Sequence, residues 1–194
     1  SDNVTSVSDE NVTSVRASCF YGCKKIQEVY LPNVTSIDSS AFKGCSMLSK
    51  INIQNVETLG DYALSTCSEI TELYLPKAIT IGTSACDSIS QLKKVTLGNV
   101  KTIGAYALYW NMNCEEIDIS LNENVDSIDG YAFYEDKKLS KLTIRGTALI
   151  PLKNANALGG TLIASGEGKI YVDPSTYKTA TNWSKYANVI EAIS

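Results

Sequence analysis

Six cysteines, 21 carboxylates, 17 cationic side chains and 11 tyrosines are the residues of this 194-residue chain that could do chemistry, and histidine is absent. That absence removes Ser-His-Asp and Cys-His nucleophiles, His-ligated zinc, and the commonest general base near neutral pH. The cysteines do not compensate. Cys23, Cys45 and Cys67 recur at intervals of 22 residues, no C-x-x-C is present, and Cys19-x-x-x-Cys23 alone is a weak zinc signal. No carboxylate pair stands apart as an acid–base dyad would. Gly159-Gly160 and Gly166-x-Gly168 lack the strand–helix context of a phosphate loop. The residues therefore point to no enzyme activity, no cofactor and no metal.

Composition narrows the partners. With 44% hydrophobic and 20% charged residues the chain reads as soluble and globular, and its net charge of −4 is spread without basic blocks. Nucleic acid and anionic membrane surfaces both need clustered Lys and Arg, so neither is expected. No apolar run is long enough to span a bilayer. The opening Ser1-Asp2-Asn3 falls inside a repeat and carries no signal peptide, which reads as a trimmed or mature fragment.

The elements that position these side chains follow from a period. Val15, Ile37, Leu59, Ile81 and Ile103 stand 22 residues apart, and Ile128 follows after 25. The phrase at each anchor repeats: Asn11-Val-Thr-Ser-Val15, Asn33-Val-Thr-Ser-Ile37, Asn55-Val-Glu-Thr-Leu59, Asn99-Val-Lys-Thr-Ile103, Asn124-Val-Asp-Ser-Ile128. An Ala-Phe or Ala-Leu block comes next, as in Ala41-Phe42 and Ala132-Phe133, and then an L-x-x-L-x-L segment such as Leu48/Ile51/Ile53. Val4 and Val7 continue the series backwards, so the chain opens on a partial turn. The three extra residues before Ile128 are expected to bulge near Ser120-Leu-Asn122.

The L-x-L segment alternates as a half-buried strand does, and the Asp38–Cys45 segment suits a single helical or 3₁₀ turn. Neither piece buries its apolar face alone, but stacked turns share one core. Residues 1–144 are thus expected to form a right-handed solenoid of about six 22-residue turns plus a partial first turn. Its seven parallel strands would line a concave face and its short helical or 3₁₀ turns a convex one. Residues 145–194 are expected to cap it, with a loop over 145–168, a strand at Lys169–Val172, and a helix capped by Asp173-Pro174 that carries Tyr177, Trp183, Tyr186 and Ile190. The six cysteines all fall at expected core positions and read as free thiols acting as small hydrophobes.

The repeat N-V-T-S-I-x-x-x-A-F-x-G-C-x-x-L-x-x-I-x-L, best copied in residues 33–53, closely resembles the BspA-like (Treponema-type) leucine-rich repeat. Lys169-Ile-Tyr-Val172 with Asn182-Trp-Ser-Lys-Tyr186 resembles the terminal segment such proteins carry, with Asp173 as a small departure. The resemblance implies a leucine-rich-repeat solenoid in a secreted or surface-anchored, mostly bacterial protein used for adhesion or protein binding. Family members differ in ligand, so it transfers no binding site.

Two outward columns of the sheet are the candidates for function. Glu28, Lys50, Glu72, Lys94, Glu116 and Lys141 alternate in sign, so each charge lies between opposite ones and the column reads as a ladder that fixes register and neutralises the face. Beside it run Tyr30, Asn52, Tyr74, Thr96, Asp118 and Thr143, where two tyrosines on alternate strands could clasp a peptide or stack on a sugar. The expected role is an extracellular, monomeric binding module for a protein partner. Carbohydrate binding, or a structural spacer within a larger surface protein, are the alternatives.

Overall fold

A computed structural model describes residues 3–172 and 175–193. The L-x-L segments become the main-sheet strands β1 (Ser6–Ser8), β3 (Glu28–Tyr30), β5 (Lys50–Asn52), β7 (Glu72–Leu75), β9 (Lys94–Val100), β11 (Glu116–Leu121) and β13 (Lys141–Arg145). All pairings are parallel, as a coil of like turns requires. The ladder is not continuous: β1-β3-β5 form one sheet and β7-β9-β11-β13 belong to another. The three-residue insertion is absorbed by lengthening β11 to Leu121 with a register shift after Ile119, and a turn held by Asn122 Oδ1 accepting from Asn124 N follows.

The anchors themselves form a second sheet that the periodicity did not assign. Strands β2 (Ser14–Val15), β4 (Ser36–Ile37), β6 (Thr58–Leu59), β8 (Thr80–Ile81), β10 (Thr102–Ile103) and β12 (Ser127–Ile128) pair in unbroken order. Each is two residues long, one polar and outward, one apolar and buried, apart from Ser127, which is buried as well. The repeated Asn has a physical task here: Asn33 Nδ2 donates to Glu10 O (2.9 Å) and Asn55 Nδ2 to Pro32 O (2.6 Å), tying each turn to the one before.

On the third side the expected 3₁₀-type bonds occur, but no helix propagates. Ala41, Lys43 and Cys45 donate to Asp38, Ser40 and Phe42 within the turn, while Ser40, Phe42 and Gly44 donate to Asp61, Ala63 and Ser65 of the next. Alternate N–H groups thus serve the turn and its neighbour, so the bonding a helix needs is shared out. The geometry places residues at left-handed φ, among them Ser40, Tyr62, Ser84, Tyr106 and Tyr131. Gly44 meets that demand at φ +76° without cost, whereas the equivalent Thr66, at φ +59°, carries a branched side chain where one is strained.

The reading of 145–168 as loop is corrected. Leu152 bridges Ile128, extending the second sheet, and Phe133 N donates to Ala157 O and Glu135 N to Gly159 O, extending the third side. Ile150, Leu152, Ala157 and Leu158 are buried as in an ordinary turn, which a short helix, α1 (Leu162–Ser165), completes. Strand β14 (Lys169–Val172) then pairs with β13, and β15 (Ile190–Ala192) with β14. The coil therefore runs to about eight turns, unbroken past residue 144.

The expected helix over 177–190 is also corrected. Two 3₁₀ segments, Ser175–Lys178 and Trp183–Val189, are separated at Asn182, which sits at φ +64° and donates to Leu152 O, and Ile190 enters the sheet. Asp173 and Pro174, expected to start that helix, lie outside the described residues. The capping role of the aromatics follows from their contacts. Tyr177 and Trp183 meet edge to face at 5.1 Å; Trp183 Nε1 donates to Ile150 O, Tyr186 Oη to Ala155 O, and Tyr177 Oη accepts from Ile150 N. Buried rings cover the last turn's core while their polar tips satisfy its backbone.

Candidate binding faces

Each main strand turns its first and third residues outward, because the second and fourth enter the core. The register pairs Glu28 with Lys50, Glu72 with Lys94, and Lys94 with Glu116 and Glu116 with Lys141. Ion pairs form between Lys50 and Glu28 and from Glu116 to both Lys94 (3.4 Å) and Lys141 (2.8 Å). Its two lysines hold the Glu116 carboxyl below the usual range, Lys141 most strongly. Among the described residues Glu72 makes no ion pair, so the ladder is interrupted where β5 and β7 fail to pair. Without the backbone ladder Glu72 and Lys50 are not held opposite each other, and Lys94, which the register does place opposite Glu72, pairs with Glu116 instead. A further pair, Lys169–Glu191 at 2.7 Å, joins β14 to β15.

The neighbouring column divides into two parts. Tyr30 is 44% exposed and Tyr74 61%, on either side of Asn52, whose Oδ1 has no hydrogen-bond partner. Ser6, Ser8, Glu28, Tyr30, Lys50 and Asn52 surround an open depression on the three-stranded sheet. Thr96 is half-buried between Tyr74 and Asp118. Asp118 is engaged by Arg145, whose Nε and Nη2 both donate to its carboxylate. Thr143 is 2% exposed and is corrected from a candidate contact to a buried residue, covered between Asp118 and Tyr171 on its flanking strands. The candidate column thus reduces to its first half: Tyr30, Asn52 and Tyr74.

The cysteine column differs from expectation in one respect. All six are free, but Cys19 is exposed and Cys23 half-buried; Cys45, Cys67, Cys86 and Cys114 are buried. Burial pushes the Cys45 thiol up to about 11, and raises the other three buried thiols further. These are poor nucleophiles. Cys45 Sγ donates to Phe20 O and Cys67 Sγ to Phe42 O, each at 3.1 Å. Among the described residues no group of His, Cys, Asp and Glu could hold a metal ion, and no helix is long and apolar enough to cross a membrane.

Sequence reasoning missed a third exposed feature, on the turn side. Tyr106 stacks on Tyr131 (5.3 Å, 8°) and Tyr109 on Tyr134 (6.2 Å, 8°), and Trp110 meets Tyr109 edge to face. The signal was present: Tyr106-Ala-Leu-Tyr109 and Tyr131-Ala-Phe-Tyr134 repeat the same spacing, 25 residues apart.

A coil of short parallel strands around one apolar core is the architecture of a leucine-rich-repeat protein. The BspA-type leucine-rich-repeat region matches in six copies over residues 1–115 and 78–155, and the chain belongs to that family. It is similar to a solved leucine-rich-repeat protein of T. pallidum, at 25% identity and a TM-score of 0.62 over 69% of this chain. The match spans 65% of that protein's length. A leucine-rich-repeat protein of Bacteroides ovatus is 16% identical over 94% of this chain and 64% of its own, with a TM-score of 0.47. The pneumococcal vaccine antigen PcpA is 13% identical over 97% of this chain and 67% of its own, with a TM-score of 0.34. No curated protein matches the sequence.

Proposed function

We propose that this chain is a non-catalytic binding module of a secreted or surface-held protein, and that it meets a protein partner on the outward face of its main sheet at Tyr30, Asn52 and Tyr74. The observation that carries this reading is the exposure of Tyr30 and Tyr74 on either side of Asn52, whose buried amide oxygen has no hydrogen-bond partner among the described residues. Tyrosine supplies large contact area with a polar tip and loses little rotamer freedom when it is covered. The neighbouring ion pairs neutralise the rest of the face, which favours a partner of mixed rather than strong charge. The family's typical association with cell surfaces supports the location. Tyr30→Ala with Tyr74→Ala should weaken capture of a panel of extracellular proteins by about tenfold or more, the scale set by losing two aromatic anchors. Unchanged capture removes this face. Hits on a glycan array that the same pair of substitutions abolishes would reassign it to sugars.

A further inference from the structure

On the turn side, backbone bonds align three consecutive segments: 61–66 (Asp-Tyr-Ala-Leu-Ser-Thr), 83–88 (Thr-Ser-Ala-Cys-Asp-Ser) and 105–110 (Ala-Tyr-Ala-Leu-Tyr-Trp). The middle segment has only small side chains where its neighbours have rings. Tyr62 N donates to Thr83 O and Ser84 N to Ala105 O, so Ser84 lies between Tyr62 and Tyr106 in one column. Each ring has one face already occupied. Lys43, from the preceding turn, sits 4.2 Å from the Tyr62 centroid, and Tyr131 stacks on the opposite side of Tyr106. Both tyrosines are nevertheless about 40% exposed (39% and 40%), while Ser84 is buried. The open faces are the ones that look at each other across Ser84.

The floor carries an uncompensated charge. Among the described residues Asp87 Oδ2 accepts only from the neighbouring Ser88 hydroxyl, and the buried Oδ1 has no hydrogen-bond partner. Asp61, at the near wall, accepts from Thr83 N, and among the described residues neither carboxylate is in an ion pair. Two turns of a parallel coil separate the walls by about 9.6 Å, twice the strand spacing. A flat cation midway would lie about 4.8 Å from each ring, inside the roughly 6 Å reach of a cation–π contact.

From this geometry we infer that the groove over residues 83–88 receives an arginine side chain of a protein partner, held between Tyr62 and Tyr106 above Asp87. Arginine fits better than lysine because its guanidinium is planar, weakly hydrated and stacks on aromatic faces. The site is on a different side of the coil from Tyr30 and Tyr74, and stands or falls separately from the reading above.

The test is titration of the whole chain, with ring-labelled tyrosine followed by NMR, using acetyl-Gly-Arg-Gly-amide and its citrulline analogue. The expected result is a saturable shift of Tyr62 and Tyr106 with the arginine peptide, weaker by about tenfold or more with citrulline, as loss of the cation requires. Ser84→Tyr, which fills the groove with the side chain its column neighbours carry, should abolish the shift. Asp87→Asn should weaken it several-fold, and carries the test if Ser84→Tyr disturbs the fold. Tyr30→Ala with Tyr74→Ala should leave it intact. No saturable shift, or equal shifts from both peptides, would overturn the inference. So would a response to a neutral oligosaccharide alone, which would assign the groove to sugars.

Discussion

One repeat position is occupied by Cys45 and Cys67 in the first half of the coil and by Asn111 and Asp136 in the second, and the two halves solve the same problem with different chemistry. In the first half a thiol donates weakly to the carbonyl of the preceding turn, at Phe20 and Phe42. In the second half Asn111 Nδ2 donates to the corresponding carbonyl, Cys86 O, and to Leu108 O, while Asn111 Oδ1 accepts from Ile89 N. Asp136 Oδ1 in turn accepts from Asn111 N at 2.7 Å. At Cys45, Cys67 and Asn111 the position supplies a donor aimed back along the coil, and at Asp136 an acceptor. Where cysteine gives way to amide and carboxyl, a short hydrogen-bonded column forms across three turns, with the intervening Ile89 supplying only its backbone.

The largest difference between the halves should appear on truncation. Asn111→Ala strands Ile89 N–H and two carbonyls in the core, and should cost about 3–5 kcal/mol in a denaturant melt, since each buried group left unpaired costs about 1–3 kcal/mol. Cys67→Ala removes one weak donor and a little volume, and should cost about 1–2 kcal/mol. Equal costs would mean that packing alone governs the position. A smaller effect of opposite sign is expected at Thr66→Gly, which relieves a branched residue at positive φ and should raise stability by up to about 1 kcal/mol. Thiol counting should register the asymmetry along the column without any substitution. Cys19 and Cys23 should label promptly in the native protein, and Cys45, Cys67, Cys86 and Cys114 only with denaturant.

Much of this was legible in the sequence because alternation of apolar residues at a fixed period is a strong signal. The main strands and the family follow from it, and the capping aromatics Tyr177, Trp183 and Tyr186 from the need of a terminal turn to cover its core. The second sheet was not legible, since two residues such as Ser36-Ile37 are too few to show alternation. The extra turn at 145–168 was hidden because its core is built from the sparse Ile150, Leu152, Ala157 and Leu158 rather than from a full L-x-x-L-x-L phrase. Helical spacing at 177–190 misled because Asn182 adopts a left-handed backbone and Ile190 is drawn into pairing with Ile170. At the candidate site, alternation correctly turned Tyr30 and Tyr74 outward. It could not show that Arg145 would occupy Asp118 or that Thr143 would be covered. The groove at Ser84 depends on what is small between two large neighbours, a contrast visible only once the turns are aligned in space.

The inner column should respond to pH through Asp136. Asp136 is fully buried, and burial raises its carboxyl well above the usual range against the opposing hydrogen bond from Asn111 N, while its Oδ2 has no hydrogen-bond partner among the described residues. Its native value is raised above its unfolded one, so its contribution to stability is greatest below about pH 4, where the unfolded carboxyl is also protonated, and falls as pH rises toward the native value. The limiting slope is about 1.4 kcal/mol per pH unit. Asp136→Asn keeps an acceptor for Asn111 N at nearly the same volume, with nothing to ionise. Denaturant melts of both proteins from pH 4 to 8 should show the native chain losing stability relative to Asp136→Asn as pH rises. Parallel curves across that range would contradict a carboxyl raised by burial at the end of the column.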